Sequence, residues 1–154
     1  MDKNKKQGRY QRIYTQLEEL LPKTQDPFAR MSSIIAVLHN KMDHFFWTGF
    51  YFLKDGKLIV GQYQGPVACQ ELKKDVGVCW AGINKQKAII LDDVEKFPGH
   101  IACDSRSKSE IVIPLKNKDG NIIGVLDVDS SEYNQFDEID EMELTSILDL
   151  VHTL

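Results

Sequence analysis

The chain has 154 residues, 42% of them hydrophobic and 27% charged, which suits one domain around a single core and excludes a disordered segment. Nineteen lysines and arginines against 23 aspartates and glutamates leave a net charge of -4, so no global basic field recruits nucleic acid or anionic lipid. No apolar run is long enough for a bilayer, and the polar start MDKNKKQGRY lacks the apolar segment of a secretory signal. Three cysteines without such a signal argue against a structural disulfide framework and for a reducing cytosol.

Two helices are predicted over about 8–43. Tyr10, Ile13, Tyr14, Leu17, Leu20 and Leu21 recur at helical spacing until Pro22 stops them. Asp26 is placed to cap a second helix with Pro27 in its first turn, and Phe28, Met31, Ile34, Ile35, Leu38 and Met42 make its apolar stripe. The aromatic run HFFWTGFYFL (44–53) reads as a strand, KDGK (54–57) as a hairpin turn and 58–63 as the returning strand. The stretch 64–109 is the least regular, with one short strand (88–91) and all three cysteines. A second hairpin, 110–115 and 121–129, turns about Asp119-Gly120. Phe136, Ile139, Met142, Ile147, Val151 and Leu154 trace a terminal helix over about 136–152, whose first turns carry the acids that its dipole favours. The order gives an α+β class, an antiparallel sheet flanked by helices in a single domain spanning 1–154.

The second hairpin brings acids together. Centred on Asp119-Gly120, it pairs Lys118 with Asn121, Val112 with Asp127 and Glu110 with Asp129, and alternation puts Glu110, Asp127 and Asp129 on one face. Like charges placed across strands destabilise a sheet. Such a cluster either faces solvent and a base from elsewhere, or is a site for a cation or a shared proton. On the first hairpin, centring on Asp55-Gly56 pairs Trp47 with Gln64, and Trp47 and Tyr51 share a face with Gly49 between them, leaving a slot between two rings. Such aromatics are either plain core or the walls of a pocket for a methyl or thioether group.

Cys69, Cys79 and Cys103 all fall near turn residues rather than on apolar strand positions. Three thiols with His100 would suit zinc, but the H-x-x-C piece stands without paired C-x-x-C knuckles, so no metal is expected and a thiol redox centre is the better reading.

The segments YQGPVACQ (63–70), GVC (77–79), FPGHIACDSRSKSEIVIPL (97–115) and IIGVLDVDS (122–130) closely resemble the free methionine-(R)-sulfoxide reductases, single-domain enzymes with a GAF fold. The resemblance implies a cytoplasmic oxidoreductase that reduces free L-methionine (R)-S-oxide. It implies thioredoxin as external reductant, no cofactor, and a homodimer. Carried over by position, Cys103 is the nucleophile, Cys69 the resolving thiol and Cys79 an auxiliary thiol. Trp47 and Tyr51 line the methyl pocket, and Glu110, Asp127 and Asp129 bind and protonate substrate. Arg106 and Lys108 are weighed as helpers against plain loop charges. One departure is Trp80 after Cys79, where the family continues with small residues. The alternative is a non-catalytic GAF-type sensor of a small ligand or of redox state. Sensors of that kind are commonly embedded in longer chains, and this chain's ending with the domain favours the enzyme.

Overall fold

The structure, a computed structural model, describes residues 1–100 and 103–153. The Ile101 and Ala102 positions of the HIACD block, and Leu154 of the expected terminal stripe, lie outside the described residues. Helix α1 (Lys3–Leu20) starts earlier than expected because Asp2 caps it, accepting from Lys5 N at 2.8 Å. A 3-10 turn at Leu21–Lys23 carries Pro22, and α2 (Pro27–Lys41) begins at Asp26, whose Oδ1 accepts from Phe28 N and Ala29 N. The following strands are β1 (Trp47–Lys54), β2 (Lys57–Gln64) and β3 (Glu71–Leu72). A third helix, α3 (Val78–Lys85), precedes β4 (Ile89–Leu91), β5 (Ser109–Lys116), β6 (Ile122–Ser130) and α4 (Glu138–Thr153).

The six strands form one antiparallel sheet in the order β3-β2-β1-β6-β5-β4. Period-two alternation splits it into two apolar faces. Phe50, Ile111, Ile113, Leu115, Leu126 and Val128 pack against α1, α2 and α4 in the larger cluster. Tyr51, Val112 and Val125 pack on the other side with Val78, Cys79 and Trp80 of α3. Met142 and Phe28, expected on apolar stripes, are 51% and 58% exposed. In α4 the buried face runs through Asp140 instead, and Phe28 stacks on Phe52 at the sheet's rim with centroids 6.3 Å apart.

Asp140 explains how so polar an N-terminus is held. Its carboxylate is fully buried and accepts from Lys6 Nζ at 2.6 Å and Tyr10 Oη at 2.6 Å, with His44 Nε2 3.4 Å away. Burial alone would raise its pKa, but these hydrogen bonds outweigh that and hold it at about 2. A carboxylate depressed in the folded state adds stability that is present at neutral pH and lost as pH falls towards that value. Asp140→Ala leaves the buried Lys6 ammonium with Asp137 (3.3 Å) as its one carboxylate and with the Gln135 carbonyl (3.1 Å). Breaking a buried pair costs about 3–5 kcal/mol, so thermal denaturation is expected to show a fall in Tm on the order of 10 °C.

The two hairpins depart from the simple register in opposite ways. The Asp55-Gly56 turn is as expected, both residues having positive φ. Yet β2 carries one extra residue between the pairs Tyr51–Val60 and Gly49–Tyr63. Gln64 therefore pairs with Thr48, which corrects the expected Trp47–Gln64 pair. The bulge sits at Gly61, where any Cβ would run into the Phe52 ring. In the second hairpin Lys118 does not face Asn121. Asn117 and Asn121 close a three-residue loop with Gly120 at φ 84°, and Asn117 Oδ1 accepts from both Asp119 N and Asn121 N. A shift between Leu115 and Lys116 then restores the expected pairs from Leu115–Gly124 outward to Glu110–Asp129.

Candidate active site

Two rows of strand partners cross the α3 side of the sheet. Trp47, Asp129, Glu110 and Leu91 form one; Gly49, Asp127, Val112 and Ile89 form the next. The three acids thus share a face with both aromatics. Helix α3 lies over this face through Gly82, where a Cβ would come within 2.9 Å of Val112 Cγ1. That short helix places Cys79, which corrects the expectation that all three cysteines lie in irregular chain. Trp80 next to it is buried and donates from Nε1 to Leu72 O at 3.2 Å, so its bulk braces α3 against β3 rather than filling the cleft.

The indole of Trp47 lies flat over Gly49 and stacks on Tyr51 (5.9 Å) and Tyr63 (5.3 Å). The slot expected between two rings is therefore filled by the indole itself, and the aromatic wall has three rings. Tyr63 joins it because the bulge at Gly61 turns its side chain to this face. Trp47 Nε1 donates to Pro66 O (3.1 Å) and Tyr51 Oη to Cys69 O (2.8 Å), which ties the 65–69 loop to the wall. Cys69 is joined to Cys103 by a disulfide with Cα atoms 5.5 Å apart. Beyond Cys103, Arg106 forks onto Asp104 (2.9 and 2.6 Å) and covers the Phe46 ring at 4.9 Å, while Lys108 sits over Tyr133.

A small cleft, partly open to solvent, has Trp47, Tyr51, His100, Cys103, Glu110 and Asp129 on its wall. Cys69, Cys79 and Asp127 are not on that wall. Asp127 is buried in hydrogen-bond contact with Glu110 and with the Cys79 thiol, and its Oδ1 has no partner. His100 was weighed in the sequence only as a zinc partner, yet its Nε2 lies 3.2 Å from Glu110 Oε1. Only the folding back of its loop reveals this.

Burial, then the charge of Asp129, pushes Glu110 well above the ordinary carboxyl range. Burial and Glu110 do the same to Asp127, and burial and Asp127 to Asp129. Carboxyls raised in this way keep protons to higher pH than free ones, which suits them to donate. Burial likewise raises the Cys79 thiol, with the three carboxylates adding to it, and lowers the His100 imidazole. The sign for stability is the reverse of Asp140. Folded carboxyls that keep protons the unfolded chain releases make stability fall as pH rises from about 4 through neutrality. Asp127→Asn, which removes one such group, is expected to be more stable than the native protein at pH 8 and to converge with it near pH 4. Each kcal/mol relieved raises Tm by about 2–4 °C, readable by calorimetry across pH.

The chain also matches known proteins. The GAF domain family matches residues 30–153. GAF domain-containing protein A of Dictyostelium discoideum is 47% identical over 98% of this chain and 95% of its own. The free methionine-R-sulfoxide reductase of Escherichia coli is 39% identical over 78% of this chain and 72% of its own. Among solved structures, the free methionine-R-sulfoxide reductase of Neisseria meningitidis in complex with its substrate has a TM-score of 0.89 at 36% identity, covering 96% of this chain and 88% of that one. A six-stranded sheet with a disulfide beside an aromatic and acidic cleft therefore belongs to a known lineage: the chain is a GAF-domain protein of the free methionine-(R)-sulfoxide reductase family.

Proposed function

We propose that the protein reduces free L-methionine (R)-S-oxide to L-methionine, with Cys103 as nucleophile and Cys69 as resolving thiol. One observation carries the assignment of roles. Of the two linked cysteines, only Cys103 lies on the wall of a cleft whose other walls include the stacked Trp47 and Tyr51 and the carboxyls of Glu110 and Asp129. The Cys103 thiolate attacks the sulfoxide sulfur while Glu110 or Asp129 protonates the oxygen. The oxygen passes to Cys103, methionine leaves, and Cys103 becomes a sulfenic acid. Cys69 displaces it as water and forms the disulfide, so the bonded pair corresponds to the end of the cycle. The relatives' reported activity and the substrate-bound neighbour support this reading.

Thioredoxin resets the pair by thiol exchange, and no cofactor takes part. Trp47 and Tyr51 on the cleft wall receive the methyl group, and Tyr63 supports them by stacking on the indole. Cys79 is buried with a raised thiol pKa, so it enters the relay only if α3 shifts. A cytoplasmic homodimer completes the proposal. Among the described residues no helix is long and apolar enough to cross a membrane.

The test follows NADPH oxidation with thioredoxin, its reductase and free methionine (R)-sulfoxide. Steady turnover is expected for native protein. Cys69→Ser should make about one methionine per chain and then stall, with a dimedone adduct on Cys103. Native protein that binds but never turns over would make it the sensor instead.

A further inference from the structure

We infer that Cys79, Glu110 and Asp127, with His100 as fourth donor, form a site for a thiophilic divalent cation such as Zn²⁺, entered from the cleft. Ligand atoms of the first three residues all lie within 4.8 Å of one another. All three residues are at most 6% exposed, and Asp127 Oδ1 is buried without a partner. His100 Nε2 stands 3.2 Å from Glu110 Oε1. Bonds of about 2.0–2.3 Å at tetrahedral angles put zinc ligands about 3.3–3.8 Å apart, so this hydrogen-bonded pair sits just inside that spacing and parts by a few tenths of an ångström to take one ion between them. The donor set is thiolate, imidazole and two carboxylates, which suits a borderline-soft cation and disfavours magnesium or calcium. Glu110 and His100 lie on the cleft wall, which supplies the entry path.

Binding is ligand exchange without electron transfer: the cation takes the Cys79 sulfur and the carboxylate oxygens, and any protons they hold go to solvent. If the reductase reading holds, the cation occupies the acids that the substrate needs, so it acts as a reversible brake rather than a cofactor. That consequence rests on the proposed function; the site itself does not.

The probe is Co²⁺ added to the full chain in its disulfide form, where Cys69 and Cys103 are bonded and Cys79 is the one remaining thiol. One Co²⁺ per chain is expected, with a thiolate-to-cobalt charge-transfer band in the near ultraviolet that added Zn²⁺ removes. Cys79→Ser should lose the band, and Glu110→Gln and Asp127→Asn, which keep side-chain shape, should each weaken binding at least tenfold. His100→Gln should weaken it as well. A native protein with no charge-transfer band at stoichiometric Co²⁺ overturns the site. So does a band that persists unweakened in both amide variants, which would mark adventitious binding to the thiol. Because the readout is the metal, absence of turnover leaves this inference standing, and absence of the band leaves the reductase reading standing. With both intact, methionine sulfoxide should displace the Co²⁺.

Discussion

Cys103→Ser should reduce methionine formation by a factor on the order of 10⁴ or more, because a neutral hydroxyl replaces the only thiol on the cleft wall. Neither remaining cysteine is placed to substitute. Cys69 is off the wall, and Cys79 is buried with its thiol pushed up by burial and by three carboxylates. The variant should still bind substrate, since the stack of Trp47 on Tyr51 and Tyr63 is untouched. The check is a single turnover of pre-reduced protein with quantified methionine, alongside Trp47 fluorescence for binding. One methionine per chain from Cys103→Ser would move the nucleophile elsewhere.

A second large effect is expected from the charge of the substrate. Asp129 is the carboxyl on the cleft wall directly opposite both Trp47 and Glu110. Burial raises its pKa, and the charged groups that add to the shift are the acids Asp127 and Asp104. A free amino acid brings the missing cation as its ammonium group. A hydrogen bond to a charged group contributes about 1.5–3 kcal/mol, so Asp129→Asn should raise KM for free methionine sulfoxide about ten- to hundredfold. N-acetylmethionine sulfoxide, neutral at that nitrogen, should be a poor substrate for native protein and should gain little from Asp129→Asn. Glu110→Gln should instead lower kcat, as loss of the proton donor does. Equal rates of native protein on the free and acetylated compounds would show that the acids do not read the ammonium.

The acidic face was legible because strand pairing is local and strictly alternating. Once 110–115 and 121–129 are read as a hairpin in the register that opposes Glu110 to Asp129, Glu110 shares a face with Asp127 and Asp129. Even so, the correct register came through two departures that cancel: a three-residue loop closed by Asn117, and a shift at Lys116. The caps at Asp26 and Pro27 and the apolar stripe of α2 were equally local, needing only one turn of chain to show.

By itself, then, the sequence determined the two hairpins, the flanking helices, the face shared by the three acids, the face shared by Trp47 and Tyr51, and the family resemblance. All of these rest on short-range periodicity or contiguous motifs, whereas the pairing of β1 with β6 that puts acids and aromatics on one face is long-range. The tertiary structure decided what depends on distant contacts. Helix α3 has eight residues between Gly77 and Gln86, too few to show a period, and short helices draw their stability from packing, here of Gly82 on Val112. The bulge at Gly61 is set by the Phe52 ring, and it alone brings Tyr63 to the aromatic wall. His100 reaches Glu110, and Cys69 reaches Cys103 across a separation of 34 residues, because loops without regular structure fold back over the sheet. No local pattern encodes such closure, since its free energy comes from contacts that exist only once the sheet is formed.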